Sequence, residues 1–330
     1  MKISRLLYVI GFGLATTSLS NAQEITLRAS GTYVAGHSAS IYMETFKAEL
    51  ARLTKGAVRV DLFPGSQLGG NIEQVDQVRT GQIPIIWGAP NFFSSLLPEL
   101  DAATLPFAVS NGRQALCLID GELGRYLNQK MEGKGLVVLG WGVNGLRHVT
   151  NNVRPIKTVA DMKGLKIRVP ASETFLATFR ALGSNPTPVD IKELYSALQQ
   201  GVVDGQENPY GNMVALKMYE VQKHLSNTAE FFDWAFYLMH KPTYDALKPE
   251  YQKAIRSAMD TAIVGQRAAA EKDNLAGLAE LTKRGMQYYE IPKAELVKFR
   301  EAARPVYAEM RKRLGDKVMD LAVKGIEGCQ

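Results

Sequence analysis

The stretch from Glu250 to Arg284 contains no proline and only two glycines, Gly265 and Gly277. Ala, Glu, Lys, Leu and Gln, all good helix formers, dominate it. Apolar residues recur at Tyr251, Ile255, Met259 and Ile263, then at Leu275, Leu278 and Leu281, and Gly285 offers a stop. At 1.5 Å per residue such a helix is roughly 50 Å long, more than the diameter of a small domain. It therefore predicts a brace touching more than one compact unit. Two shorter helices broken near Gly265 are the alternative. The chain's 330 residues also exceed what one compact core usually needs.

Upstream of Pro249 the pattern alternates. Strand-like segments are Glu24–Ala29, Val58–Phe63, Ile83–Trp87, Leu136–Leu139 and Leu165–Val169. Helical spacing marks Ser38–Thr54, Ile72–Thr80, Ser172–Leu182, Ile191–Gln200 and Tyr210–Tyr219. Strands alternating with helices predict an α/β architecture with largely parallel sheets.

Lys2 and Arg5 precede an apolar run from Leu6 to Ala15, and Ser20-Asn21-Ala22 supplies small residues at a cleavage point. This is the pattern of a secretory signal peptide cleaved after Ala22. The run falls short of the ~20 residues a membrane span requires. No later segment is long and apolar enough either, which predicts a soluble exported protein. The formal charge of +6 comes without any block of consecutive Lys and Arg, so composition argues against a nucleic-acid partner. Two cysteines and four histidines leave little material for a metal site. In an oxidising compartment Cys117 and Cys329 can pair, but their spacing leaves open a staple or two free thiols.

Motifs of catalysis are scarce. Gly140-Trp141-Gly142-Val143-Asn144-Gly145 satisfies G-x-G-x-x-G, yet the third glycine opens no helix. A dinucleotide site requires one there. We read those glycines as a tight strand-to-strand crossover. No nucleophile elbow, zinc helix, phosphate loop or C-x-x-C is present, and the chain is read as a non-enzyme that needs no cofactor. His148, His224 and His240 read as structural. His37 differs because it lies in the Gly- and Ser-rich loop Gly31–Ser40, where α/β proteins bind ligands, and it is a candidate contact. Arg168 ends a short apolar strand just before Pro170, so it projects into the crevice there. Its planar fork suits a carboxylate, although a surface ion pair is the competing reading.

Asp161-Met162-Lys163-Gly164-Leu165-Lys166-Ile167-Arg168-Val169-Pro170 is followed by Pro186-Thr187-Pro188 and Glu193-Leu194-Tyr195-Ser196-Ala197-Leu198-Gln199. Val203-Asp204-Gly205-Gln206-Glu207-Asn208-Pro209 comes next. This succession strongly resembles the solute-binding proteins of TRAP transporters, the DctP family. Phe63-Pro64-Gly65-Ser66-Gln67-Leu68-Gly69 and Leu105-Pro106-Phe107 are similar to that family as well.

The resemblance implies two α/β lobes joined by crossing strands and a long bridging helix, closing over a ligand. It places residues 23–144 and 234–273 in the first lobe, and 145–233 and 274–330 in the second. It implies a carboxylate-pairing arginine at Arg168, a second cleft arginine at Arg147 and a cleft asparagine at Asn208. Asp233 and Trp234 look like the segment re-entering the first lobe beside the cleft. Trp87-Gly88-Ala89-Pro90 lacks the acidic residue of sialate-binding members, which disfavours that ligand. The expected protein is a monomeric periplasmic receptor that delivers a C4-dicarboxylate or a sugar acid to a TRAP-type permease. A sensory receptor of the same fold and an exported organic-acid enzyme are the rivals.

Overall fold

The computed structural model describes residues 24–329; the signal-peptide reading lies outside them. Among the described residues eleven strands form two sheets. They are β1 (Ile25–Gly31), β2 (Val58–Phe63), β3 (Ile85–Gly88), β4 (Leu136–Leu146), β5 (His148–Asn151) and β6 (Lys166–Val169). There follow β7 (Asn185–Pro188), β8 (Gly205–Asn208), β9 (His224–Ser226), β10 (Phe232–His240) and β11 (Gln287–Tyr289). The first sheet has the order β2-β1-β3-β10-β4 and the second β11-β9-β5-β8-β6-β7. The chain leaves the first lobe through β4 and β5 and returns from β9 to β10.

The sheets are mixed rather than largely parallel. β1 runs parallel to β2 and β3, but β10 is antiparallel to both β3 and β4. In the second sheet β5 is antiparallel to β8 and β9. The crossing strands are the cause, because a chain that goes out and comes back between two lobes pairs with itself antiparallel. Strand β10 is apolar almost throughout because both faces of its sheet are covered. Phe236 and Leu238 enter one core with Val138, while Tyr237 and Met239 enter the other with Val137 and Leu139.

The long helix is continuous from Pro249 to Lys283. Ile255, Met259 and Ile263 pack in the first lobe against the helix Ser38–Leu53, and Leu281 joins the core of the second lobe. Gly265 does not break it; a Cβ there meets the Tyr42 ring at 2.1 Å, so the glycine marks a close approach of two helices.

The Gly140–Gly145 motif is also a packing seam and not a crossover turn. A Cβ on Gly140 meets Ile263 at 2.0 Å, on Gly142 Gln266 at 2.3 Å and on Gly145 Asn274 at 2.5 Å. The bare backbone lets polar side chains of the long helix reach it. Gln266 accepts from Val143 N at 2.8 Å and donates to Val143 O at 2.7 Å, and Asn274 donates to Asn144 O at 2.7 Å. A bulge at Asn144 restores Gly145 to the same face.

The segment 274–330, expected wholly in the second lobe, divides. In the helix Lys293–Leu314, Phe299 and Ala303 pack in the second lobe, whereas Val306, Met310 and Leu314 pack in the first. Val318, Met319 and Ala322 of the last helix are in the first-lobe core too. Cys117 and Cys329 form a disulfide, Cα–Cα 5.8 Å, that pins this helix to the first lobe. Among the described residues no helix is long and apolar enough to cross a membrane.

Candidate functional site

Between the lobes lies a small, partly enclosed cavity. Thr32, Tyr33, Asn91 and Phe92 line it from the first lobe; Arg168, Pro170, Asn208 and Asn212 line it from the second. Asn144, Arg147 and Asp233, on or beside the crossing strands, complete the wall. The lobes meet at its edge. Asp190 accepts from Asn71 N at 2.8 Å across the gap, at the start of the helix Asn71–Thr80, and Lys192 lies 3.5 Å from Glu73.

Arg168 sits on β6, held in parallel register between β7 and β8. It is 1% exposed, and its Nε donates to Val189 O at 2.8 Å. Nη2 is fully buried and finds no hydrogen-bond partner among the described residues. Burial pushes its pKa down to about 10, with the Glu207 carboxylate opposing that shift, so it remains a cation at neutral pH. A buried donor with no partner costs about 1–3 kcal/mol unless something completes it.

Arg147 lines the same cavity, but its charge is already matched. It holds Glu207 through Nε and, at 2.8 Å, through Nη2, and it donates to Asp233 Oδ2 at 2.6 Å and to Glu207 O at 2.7 Å. Burial opposes its charge, yet Glu207 and Asp233 outweigh that and raise its pKa above the ordinary arginine value. The two arginines therefore differ in kind: Arg147 is a structural ion-pair centre and Arg168 carries the open donor.

A hydrogen-bonded relay backs this cluster. Ala39 N donates to His37 Nδ1 at 3.1 Å, which leaves Nε2 as the donor to Asn144 Oδ1 at 3.1 Å. Asn144 Nδ2 in turn donates to Asp233 Oδ2 at 2.7 Å. His37 thus caps the helix Ser38–Leu53 and stacks on Tyr33 instead of lining the cavity. Burial lowers its pKa to about 4, consistent with one neutral tautomer.

The other sequence candidates also separate. Asn208 lines the cavity, donating to Gln206 Oε1 at 2.5 Å and accepting from Asn212 Nδ2 at 2.6 Å. Asp233 faces it as well. Trp234 does not: its Nε1 donates to Ala103 O at 3.0 Å, and its ring packs edge-on against Trp141 in the first-lobe core. Neighbouring residues of a strand face opposite ways, so Asp233 and Trp234 cannot share the cleft. Sequence reasoning missed Glu207 as the partner of Arg147, although it stands in the quoted Gln206-Glu207-Asn208. It also missed Asn91 and Asn144, which carry no local signal.

Residues 30–313 match the family model described as bacterial extracellular solute-binding protein, family 7. The chain is 32% identical to the 2,3-diketo-L-gulonate-binding periplasmic protein YiaO of Escherichia coli K12, over 99% of this chain and 96% of that one. Among solved structures it resembles the sugar acid binding protein DctPAm of Advenella mimigardefordensis in complex with galactonate. The TM-score is 0.91 at 26% identity, covering 93% of this chain and 99% of that one. A TRAP periplasmic solute-binding protein of Polaromonas sp. JS666 bound to D-erythronate gives a TM-score of 0.87 at 33% identity, over 91% and 98%. With two α/β lobes, a bridging helix and an arginine facing the cleft, the chain belongs to the DctP family of TRAP solute-binding proteins.

Proposed function

We propose that this protein is an exported receptor that captures a small organic acid, a C4-dicarboxylate or a sugar acid, and delivers it to a TRAP-type permease. The observation that carries this reading is the buried Arg168, whose Nη2 has no hydrogen-bond partner among the described residues at the wall of an interlobe cavity. A guanidinium edge is the donor geometry a carboxylate completes. Relatives and neighbours whose names carry diketogulonate, galactonate and erythronate support it. The leader is cleaved after Ala22, and the mature monomer works in the periplasm without catalysis.

Capture begins in an open form, where Arg168 attracts anions through water. Closure about the crossing strands then removes water from the pair and strengthens it. The Asp190–Asn71 and Lys192–Glu73 contacts across the cleft edge are what closure brings together. The closed surface is what the permease reads.

A thermal-shift screen of the mature protein against an organic-acid library tests the proposal. A ligand at 100 times its Kd adds about 2.7 kcal/mol of stability. Stabilisation by carboxylates and not by their neutral amides is the expected result; a library without one stabilising acid overturns it.

A further inference from the structure

Two side chains that line the cavity carry fully buried polar atoms without a partner among the described residues. One is Arg168, through Nη2; the other is Asn91, through both Oδ1 and Nδ2. Asn91 stands on the short turn Pro90–Phe93 that follows β3, so it belongs to the first lobe, and it lines the same cavity that Arg168 lines from the second. It is 4% exposed. An open acceptor beside an open donor on one amide matches a group that both gives and takes a hydrogen bond, and a hydroxyl is such a group. A carboxylate only accepts; set against Asn91 it satisfies Nδ2 and leaves Oδ1 facing a negative oxygen.

The charges point the same way. A second carboxylate needs a second cation with donors to spare. Arg147, the other arginine lining the cavity, is matched by Glu207 and Asp233. No lysine or further arginine lines the cavity among the described residues.

We propose that Asn91 determines specificity by pairing with a ligand hydroxyl, so that the site selects hydroxylated monocarboxylates, of the aldonate or uronate kind, over unsubstituted dicarboxylates. This rests on the carboxylate-receptor reading above and narrows it to one class. Arg168 takes the carboxylate, Asn91 takes a hydroxyl, and closure requires both because they approach from opposite lobes.

Calorimetric titration with galactonate, erythronate, glucuronate and succinate tests it, on the wild type, Asn91→Leu, Asn91→Asp and Arg168→Lys, each checked for folding by circular dichroism. The wild type is expected to bind at least one hydroxylated acid about 100-fold or more tightly than succinate. Asn91→Leu, of similar size without hydrogen bonds, is expected to cut that preference at least about tenfold, since a site built around a hydroxyl loses its discrimination with the partner group. Asn91→Asp keeps the shape but removes the donor and adds a charge, so it is read on two monoanions, erythronate and butyrate, between which it is expected to narrow the preference; it serves if the leucine variant does not fold. Succinate binding as tightly as the hydroxylated acids, or a preference unchanged in both Asn91 variants, overturns the assignment while leaving the receptor reading intact. Unchanged affinity in Arg168→Lys, or no acid bound at all, removes the receptor reading itself, and this inference with it.

Discussion

Arg147 and Asp233 stand on the two segments that cross between the lobes, and they meet at 2.6 Å while Arg147 N donates to Phe231 O at 2.9 Å. The crossing segments are therefore tied by a buried ion pair as well as by backbone pairing. Glu207, from the second lobe, closes the triad.

Removing the centre of that triad strands two buried carboxylates. Arg147→Met is expected to cost about 3–5 kcal/mol of unfolding free energy, the usual penalty for breaking a buried pair. Adding Glu207→Gln and Asp233→Asn removes the uncompensated charges and recovers a large part of it. Urea unfolding of the single and triple variants measures both. A single variant as stable as the wild type refutes the structural role.

Under the proposed function Arg168 holds the ligand carboxylate, so its variants act on affinity. Lysine keeps the charge but loses the fork and the bond to Val189 O. Arg168→Lys is expected to weaken the identified acid by roughly 10²- to 10³-fold, taking about 3–5 kcal/mol at 1.4 kcal/mol per decade. Arg154 instead ties a turn, donating to Asp161 O and Lys163 O, and Arg154→Lys leaves Kd nearly unchanged. Calorimetry on the pair decides, and equal small losses count against the assignment.

The close approach at Gly265 sets helix propensity against packing. In an isolated helix Gly265→Ala gains about 1 kcal/mol. Here the new Cβ lies 2.1 Å from Tyr42 Cε1, and such overpacking costs about 1–3 kcal/mol. The variant is expected to be destabilised in the wild type and stabilised in a Tyr42→Ala background. A gain in both backgrounds means the helices are not in contact there.

Glu230 gives the stability a pH dependence. It is fully buried, and burial together with the nearby Glu207 pushes its carboxyl up to about 8 from an ordinary 4.5. The folded protein keeps this proton at pH values where the unfolded chain has released it. Its contribution is therefore fully present below about pH 4.5, declines as pH rises toward about 8 and is flat beyond, with a limiting slope of about 1.4 kcal/mol per pH unit. Glu230→Gln removes this slope, so the variant gains on the wild type between about pH 5 and pH 8. Urea unfolding across that range measures the difference; one independent of pH contradicts the burial of an acid at this position.

About half of the elements were legible in the chain. The absence of proline over 250–284 specified the bridging helix, and period-2 and helical spacing located β1, β2, β3, β6 and the start of β4 within a few residues. Strands β5 and β7 to β11 were not legible, nor were the helices Gly112–Asp120, Glu122–Glu132, Lys293–Leu314 and Asp316–Gly328. A strand buried on both faces, such as β10, shows no alternation. Strand β4 was read short, ending at Leu139, because its glycines look like a turn until the long helix is laid on them. Arg168 was legible too, since a strand end followed by Pro170 aims its side chain at a crevice. What the sequence withheld was the difference between two arginines of the same type. Local pattern reaches only a few residues, whereas Arg147 meets partners 60 and 86 positions away, and Arg168 meets none through Nη2 among the described residues. Which cation is matched, which amide is left open and which lobe takes the last helix depend on side chains brought together by burial, and only the tertiary structure decides them.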